Sequence, residues 1–210
     1  MEKKFITEQE AAEILCSNSS IEDLPQLKGT EKQVNWARDI RDNFIRNISE
    51  AEALLQWWEE NSSKQEEHAA CLRANAKEGK SGAVGEYNRF DGNVSALALT
   101  IGERIHSLNA MVHEEGLAPA RLSEEGRRLE HEYGYQMRRY KPRSHYTSDK
   151  AYSSAIERRK KQKDAAMEII ANARSYVRQE QSASKWIDKR EYAKKRKVKV
   201  SGSEILWDEK

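Results

Sequence analysis

Apolar residues recur at helical spacing along much of the chain and predict long amphipathic helices. The first helix begins at the capping box Thr30-Glu31-Lys32-Gln33. Its apolar stripe consists of Val34, Ala37, Ile40, Phe44 and Ile48. A second capping pattern at residues 49–52 leads into another stripe of the same kind. Either one long helix bends near Ile48, or a new helix starts there.

The middle of the chain predicts two further helices. Glycine-rich residues 79–85 indicate a flexible break, after which Asp91 or Asn93 caps a new helix. This helix has the strongest apolar stripe in the chain, which consists of Val94, Leu97, Ile101, Ile105, Leu108 and Val112. Residues 123–139 predict a charged helix, and a basic loop containing Pro142 follows it.

The last third of the chain predicts a long helix and a short one. Residues 149–181 form the long helix, with a stripe that consists of Tyr152, Ile156, Met167, Ile170, Ala173 and Val177. Ser182 or Ser184 can cap the short helix, which contains Trp186. Two short apolar runs near the end, at residues 198–200 and 205–207, flank a Ser-Gly-Ser turn and indicate a small C-terminal β-hairpin.

These elements predict an all-α fold in which long antiparallel helices form a bundle. Residues 1–60 and 149–195 are expected to form one helical module that the N- and C-terminal segments close. Residues 61–148 form an inserted helical region, and residues 196–210 form a basic tail with the hairpin. The helix that follows Asp91 provides either the core of a second layer or the seam of a homodimer.

Composition indicates the kind of helix and the cellular location that we expect for this protein. Hydrophobic residues make up 37% of the chain and charged residues 34%, which suits long helices that each bury one stripe. The apolar runs are too short for a helix that spans a bilayer, and residues 1–5 lead into polar sequence instead of a secretory signal. Two cysteines, Cys16 and Cys71, favour reduced thiols and a cytoplasmic location.

Charge is sorted along the chain, although the net charge is only +2. Residues 1–120 carry 13 basic and 21 acidic side chains, whereas residues 121–200 carry 23 basic and 11 acidic ones. The first part should therefore repel nucleic acid, and the second should attract nucleic acid or an acidic protein surface. The alternative is that the basic part balances the acidic part of the same molecule or of a twofold mate.

Basic residues interleaved with tyrosines mark the candidate binding site. Cations suit backbone phosphates and aromatic rings suit stacked bases, so this pattern indicates contact with nucleic acid or with a partner that carries it. The candidate residues are Arg138, Arg139, Tyr140, Lys141, Arg143, Arg158, Arg159, Lys160, Lys161 and Lys163. Tyr135 and Tyr146 flank the same region.

No sequence pattern indicates catalysis as strongly as the basic residues and tyrosines indicate binding. Gly79-Lys80-Ser81 lacks the earlier glycine of a phosphate-binding loop, because position 74 is Ala74. His68 with Cys71, and His106 with His113, each supply two metal ligands where a site needs three or four. We therefore expect no catalytic residue, no metal and no cofactor. A metal-dependent nuclease is the third reading after the two binding functions below.

Two segments resemble a helical module that recurs in small proteins of phages and other mobile elements. Residues 24–41 match a Leu-Pro-x-Leu-x-Gly, Thr-Glu-Lys-Gln, Trp-Ala, Ile-Arg pattern, and residues 183–190 match its companion, Ala-Ser-x-Trp-Ile-Asp-x-Arg. The resemblance implies that Trp36 and Trp186 pack near each other. Proteins of this kind include accessory proteins that counter host defence, anti-CRISPR inhibitors among them, and the resemblance carries over no catalytic residue.

Together the basic part of the chain and the resemblance suggest a non-enzymatic inhibitor or adaptor. It would bind a host nucleoprotein effector, such as a CRISPR nuclease in the cytoplasm of a bacterial host, and block it sterically. The alternative is a regulator that binds RNA or DNA directly. Salt separates the two, because a phosphate binder loses affinity steeply as salt rises.

Overall fold

A computed structural model of the chain describes residues 3–6, 24–113, 136–193 and 205–208. The helices are α1 (Glu31–Lys77), α2 (Ala83–Val112), α3 (Asp149–Gln179), α4 (Ala183–Asp188) and α5 (Arg190–Ala193), with a short 3₁₀ turn at Arg143–His145. Strands β1 (Lys3–Ile6) and β2 (Ile205–Asp208) form the remaining elements. The predicted all-α fold is confirmed, since the three long helices α1, α2 and α3 pack against one another around a common core.

The two short strands come from opposite ends of the chain. They pair antiparallel, with Lys3 opposite Asp208 and Ile6 opposite Ile205. The strand predicted at residues 205–207 is therefore present, and it pairs with β1. Residues 198–200, the other arm of the predicted hairpin, lie outside the described residues.

Helix α1 begins at its predicted capping box and runs unbroken for 47 residues. The Thr30 hydroxyl accepts the Gln33 amide at 3.4 Å, and the Gln33 side-chain oxygen accepts the Thr30 amide at 3.0 Å. Helix continues through Ile48, so one long helix forms and no new helix starts there. Its buried face continues from Ile48 to Leu72 and includes Trp58, which is fully buried.

Helix α2 begins eight residues before its predicted cap. The chain turns between α1 and α2 through Gly79 and Gly82, whose positive φ values of 73° and 78° favour glycine. Helix starts directly after this turn, at Ala83, within the stretch predicted to be a flexible break. Burial of Ala83 and Phe90, each 4% exposed, anchors these extra turns. Tertiary packing therefore overrides the weak local propensity of the glycine-rich sequence.

Helix α3 has nearly its predicted extent, but its buried face differs from the predicted stripe as far as Met167. The Ser148 hydroxyl caps it by accepting the Ala151 amide at 3.1 Å. Ile156 and Met167, predicted in the stripe, are 36% and 42% exposed. The inner face consists instead of Gln162, Ala165, Ala166, Ile169, Ile170, Ala173 and Val177. Alanines, two isoleucines, a valine and one glutamine thus form the inner face of α3, which packs against α1 and α2.

The two segments that resemble the mobile-element module lie side by side. The Lys28 amide donates to the Gln181 carbonyl at 2.7 Å, and the Ala183 amide donates to the Lys28 carbonyl at 3.0 Å. Trp186 is fully buried, with its ring 5.9 Å from that of Phe44. Trp36 does not join this core; it is 49% exposed, and the Arg190 guanidinium lies 5.9 Å from its ring.

The junction between these segments depends on the absence of a side chain at Gly29. A Cβ at this position would lie 2.9 Å from the Cβ of Ala183, closer than two carbon atoms can approach without displacement. We expect Gly29→Ala to lower the free energy of unfolding by about 1–3 kcal/mol, because overpacking forces the backbone apart. Chemical denaturation of the purified chain measures this loss.

The matched control removes the opposing methyl group with Ala183→Gly. The double variant should be more stable than the sum of the two single losses predicts, since the clash disappears. Strictly additive losses, or an unaffected Gly29→Ala variant, would contradict the close approach.

Candidate functional site

A non-helical segment at residues 136–142, here called the strap, organises the candidate site. Residues 136–139 were predicted to end a charged helix, and this prediction is wrong; residues 123–135 lie outside the described residues. The Met137 amide donates to the Ala98 carbonyl of α2 at 3.0 Å. The Trp58 indole of α1 donates to the Arg138 carbonyl at 3.3 Å. Hydrogen bonds to neighbouring helices thus replace those within a helix.

The side chain of Gln162 on α3 forms two hydrogen bonds with the strap backbone. Its carboxamide oxygen accepts the Arg138 amide at 2.7 Å, and its nitrogen donates to the Gln136 carbonyl at 3.1 Å. The side chain is completely buried. A buried amide that satisfies one donor and one acceptor of the strap fixes the position of the backbone on either side of Met137.

Three glutamates spaced seven residues apart on α1, Glu52, Glu59 and Glu66, form a line that we call the acidic row. Each lies in an ion pair with a cation from the second half of the chain: Glu52 with Arg174, Glu59 with Arg159 and Lys163, and Glu66 with Arg139. The spacing of seven places all three on one side of α1. Much of the charge sorting in the sequence is therefore used inside the molecule.

Three of the ten candidate residues contribute to these internal pairs. Arg139 lies 2.6 Å from Glu66 and 2.5 Å from Asp91. Arg159 lies 3.2 Å from Glu59, and its guanidinium is 5.6 Å from the ring of Tyr140. Lys163 lies 3.7 Å from Glu59. These cations hold α3 and the strap against α1, and Arg139 and Arg159 are mostly covered by protein.

Four other candidate cations are exposed, namely Arg143, Arg158, Lys160 and Lys161. Arg143 pairs with Asp149 at 2.6 Å, and Lys161 pairs with Glu157 at 3.0 Å. Within the described ranges, Lys141, Arg158 and Lys160 have no carboxylate within ion-pair distance. Arg158 and Lys160 lie about 200° apart around α3, because successive residues of a helix are separated by about 100°. The basic run of α3 is therefore divided between two faces.

A cavity of about 440 Å³ opens where the strap and the 3₁₀ turn meet the first half of α3. Basic side chains dominate its lining, which includes Arg138, Arg139, Lys141, His145, Tyr146 and Arg158. None of its described lining residues is acidic. Candidate residues from two separate stretches of sequence, the strap and α3, thus meet at one concave site, whereas Lys160, Lys161 and Lys163 lie outside its lining.

Three tyrosines pack together beside this cavity. The rings of Tyr146 and Tyr152 are 5.5 Å apart, and Tyr146 contributes to the cavity wall. A hydrogen bond to Tyr152 raises the pKa of Tyr140, and burial raises the pKa of Tyr146. Both phenols therefore stay neutral at neutral pH and add no negative charge next to the cations.

Sequence reasoning found the basic residues but missed the groups that position them. Gln162 is uncharged within a basic run, and this is the one local signal that could have singled it out. The spacing of seven between Glu52, Glu59 and Glu66 is visible in the sequence as well, but its partners are not.

Other chemistry considered from the sequence has little structural support. In the part of the chain that the structure describes, no group of three His, Cys, Asp or Glu side chains could hold a metal ion. His68 packs its ring edge-to-face against Phe90 at 4.8 Å. None of the described helices combines the length and apolar character that a bilayer span requires.

The strap provides a direct test of the site's construction. Gln162→Leu fills nearly the same space but removes both hydrogen bonds, which are partly buried, to the strap backbone. We expect the free energy of unfolding to fall by about 2–4 kcal/mol, because the backbone groups of Arg138 and Gln136 lose their partners. Hydrogen exchange of the Arg138 amide should accelerate, as mass spectrometry or NMR would show.

The control is Gln179→Leu, which changes an exposed glutamine near the end of the same helix. It should alter stability by less than about 0.5 kcal/mol. Equal stability of the two variants would show that the strap is held by other contacts.

Comparison of the chain with protein-family models, with curated proteins and with solved structures finds no match.

Proposed function

We propose that the protein acts by binding a nucleoprotein effector, as a non-enzymatic inhibitor or adaptor. Its cationic cavity and the adjacent side chains would occupy a surface that normally meets phosphate groups. A CRISPR nuclease loaded with guide RNA is one such effector, since its channel holds a nucleic-acid backbone. Steric occupation of that surface would need no catalytic residue in this chain.

This proposal rests on two cations that have no carboxylate partner among the described residues. Arg139, Arg159 and Lys163 already have carboxylate partners within the molecule. Lys141 and Arg158, in contrast, line the cavity and have no carboxylate within ion-pair distance in the described ranges. Their charges are therefore available to an anionic partner, which gains affinity when it replaces their solvent and counterions.

Direct binding of free RNA or DNA is the second candidate, and the position of Tyr146 favours it. This ring lines the cavity next to cations, an arrangement that suits a stacked base and its phosphate. Tyr140 is less suited to stacking, because Arg159 lies over its ring and Tyr152 engages its hydroxyl.

A pair of charge reversals tests the site without breaking the internal ion pairs. Lys141→Glu combined with Arg158→Glu should weaken binding to a purified guide-loaded nuclease about tenfold or more, since two favourable contacts become repulsive. Fluorescence anisotropy with a labelled effector, repeated over a range of salt concentrations, measures the loss. Free RNA tested in parallel shows whether nucleic acid alone is sufficient.

The matched control is Lys160→Glu combined with Arg178→Glu, which changes the net charge equally on another face of α3. Both residues are exposed, and neither lies in the cavity lining. The control should keep its affinity. Equal losses in the two variants would show that net charge governs binding, and no loss in either would refute the proposed surface.

A further inference from the structure

We infer that the cavity between the strap and α3 binds one nucleotide, with its phosphate on the basic side and its base against Tyr146. This inference rests on the proposed function, because it names the part of a nucleoprotein that would enter the site. The ligand is a phosphorylated nucleoside. It can come from either of two sources, a free nucleotide or one unit of a nucleic-acid strand.

The size of the cavity fits such a ligand. Its volume of about 440 Å³ lies within the range of small-molecule pockets, which is roughly 300–1,000 Å³. A phosphate ion alone would leave most of this space empty. A helix or strand of a protein partner is too large to enter a cavity of this volume, which therefore favours a small ligand.

The basic side of the cavity is prepared for a phosphate. Arg139 already pairs with Glu66 and Asp91, so the phosphate is assigned to the other cations of the lining. Lys141 and Arg158 line the same cavity. A phosphate provides several acceptor oxygens, which matches donors that converge from more than one side chain.

The remaining wall is suited to a base. Tyr146, Met137 and Ala155 present aromatic and apolar surface to the same cavity. The Tyr146 ring is supported by Tyr152 at 5.5 Å and by His145 at 6.1 Å, which restricts its movement. Stacking on such a ring tolerates any base, because every base has a π face. Inorganic phosphate or an acidic peptide would leave this wall unused.

Calorimetric titration of the full chain tests the inference with adenosine 5′-monophosphate, uridine 5′-monophosphate, inorganic phosphate and a short single-stranded RNA. Both monophosphates should bind more tightly than inorganic phosphate. Tyr146→Leu should weaken binding of the monophosphates about 5- to 150-fold, the loss expected for one stacked base, and leave inorganic phosphate unaffected. Arg158→Gln should weaken all four probes, whereas Lys160→Gln should weaken none.

The single-stranded RNA distinguishes the two sources of the nucleotide. Tighter binding of the RNA with the same dependence on Tyr146 assigns the cavity to a nucleotide within a strand, whereas binding equal to the monophosphates assigns it to a free nucleotide. Monophosphates that bind no better than inorganic phosphate, or a folded Tyr146→Leu variant with unchanged affinity, would overturn the inference. A circular dichroism melt confirms that each variant is folded.

The inference and the proposed function can fail separately. Nucleotide binding without any affinity for a loaded effector would refute the proposed function alone. Binding to the effector that depends on Lys141 and Arg158 but not on Tyr146, with no affinity for nucleotides, would refute the nucleotide site alone.

Discussion

Ion pairs between the acidic row of α1 and cations from the second half of the chain connect the main parts of this fold. The pair between Glu66 and Arg139 is the most enclosed of them, since Glu66 is 3% and Arg139 15% exposed. Loss of one partner from such a pair leaves a charge buried without compensation, which costs far more than loss of a surface pair. Arg139 belongs to the strap, so the same contact that stabilises α1 also positions the candidate site.

These ion pairs use some of the basic side chains inside the molecule, and so determine which cations can bind a partner. The acidic row neutralises four cations where α3 and the strap meet α1. These four charges are therefore not available to a partner. Binding can depend on the cations that have no carboxylate partner among the described residues, and two of them, Lys141 and Arg158, line one cavity. Gln162 contributes a second constraint, because its carboxamide holds the strap backbone beside that cavity.

The parts of the structure that local sequence determines were predictable. The capping box at Thr30 and the extent of α3 depend on neighbouring residues and are present as expected. The end of the buried face of α3 was predicted, since Ile170, Ala173 and Val177 are buried. The burial of Ala165 and Ala166 was not predicted, because it depends on the helices that pack on them. The strap depends on a glutamine 26 residues away from Gln136, a contact that no local pattern indicates. Likewise, Arg158 and Arg159 are neighbours in sequence, but only the tertiary structure gives Arg159 a carboxylate partner.

A double-mutant cycle on Glu66 and Arg139 tests the internal pairing most directly. Arg139→Gln should lower the free energy of unfolding by about 3–5 kcal/mol, because Glu66 then stays buried without a partner. Glu66→Gln should lower it by less, because Arg139 keeps its ion pair with Asp91. The double variant should lose clearly less than the sum, with a coupling energy above about 1 kcal/mol. Additive losses, or single losses of a few tenths of a kcal/mol, would show that the two halves of the chain are held together by other contacts.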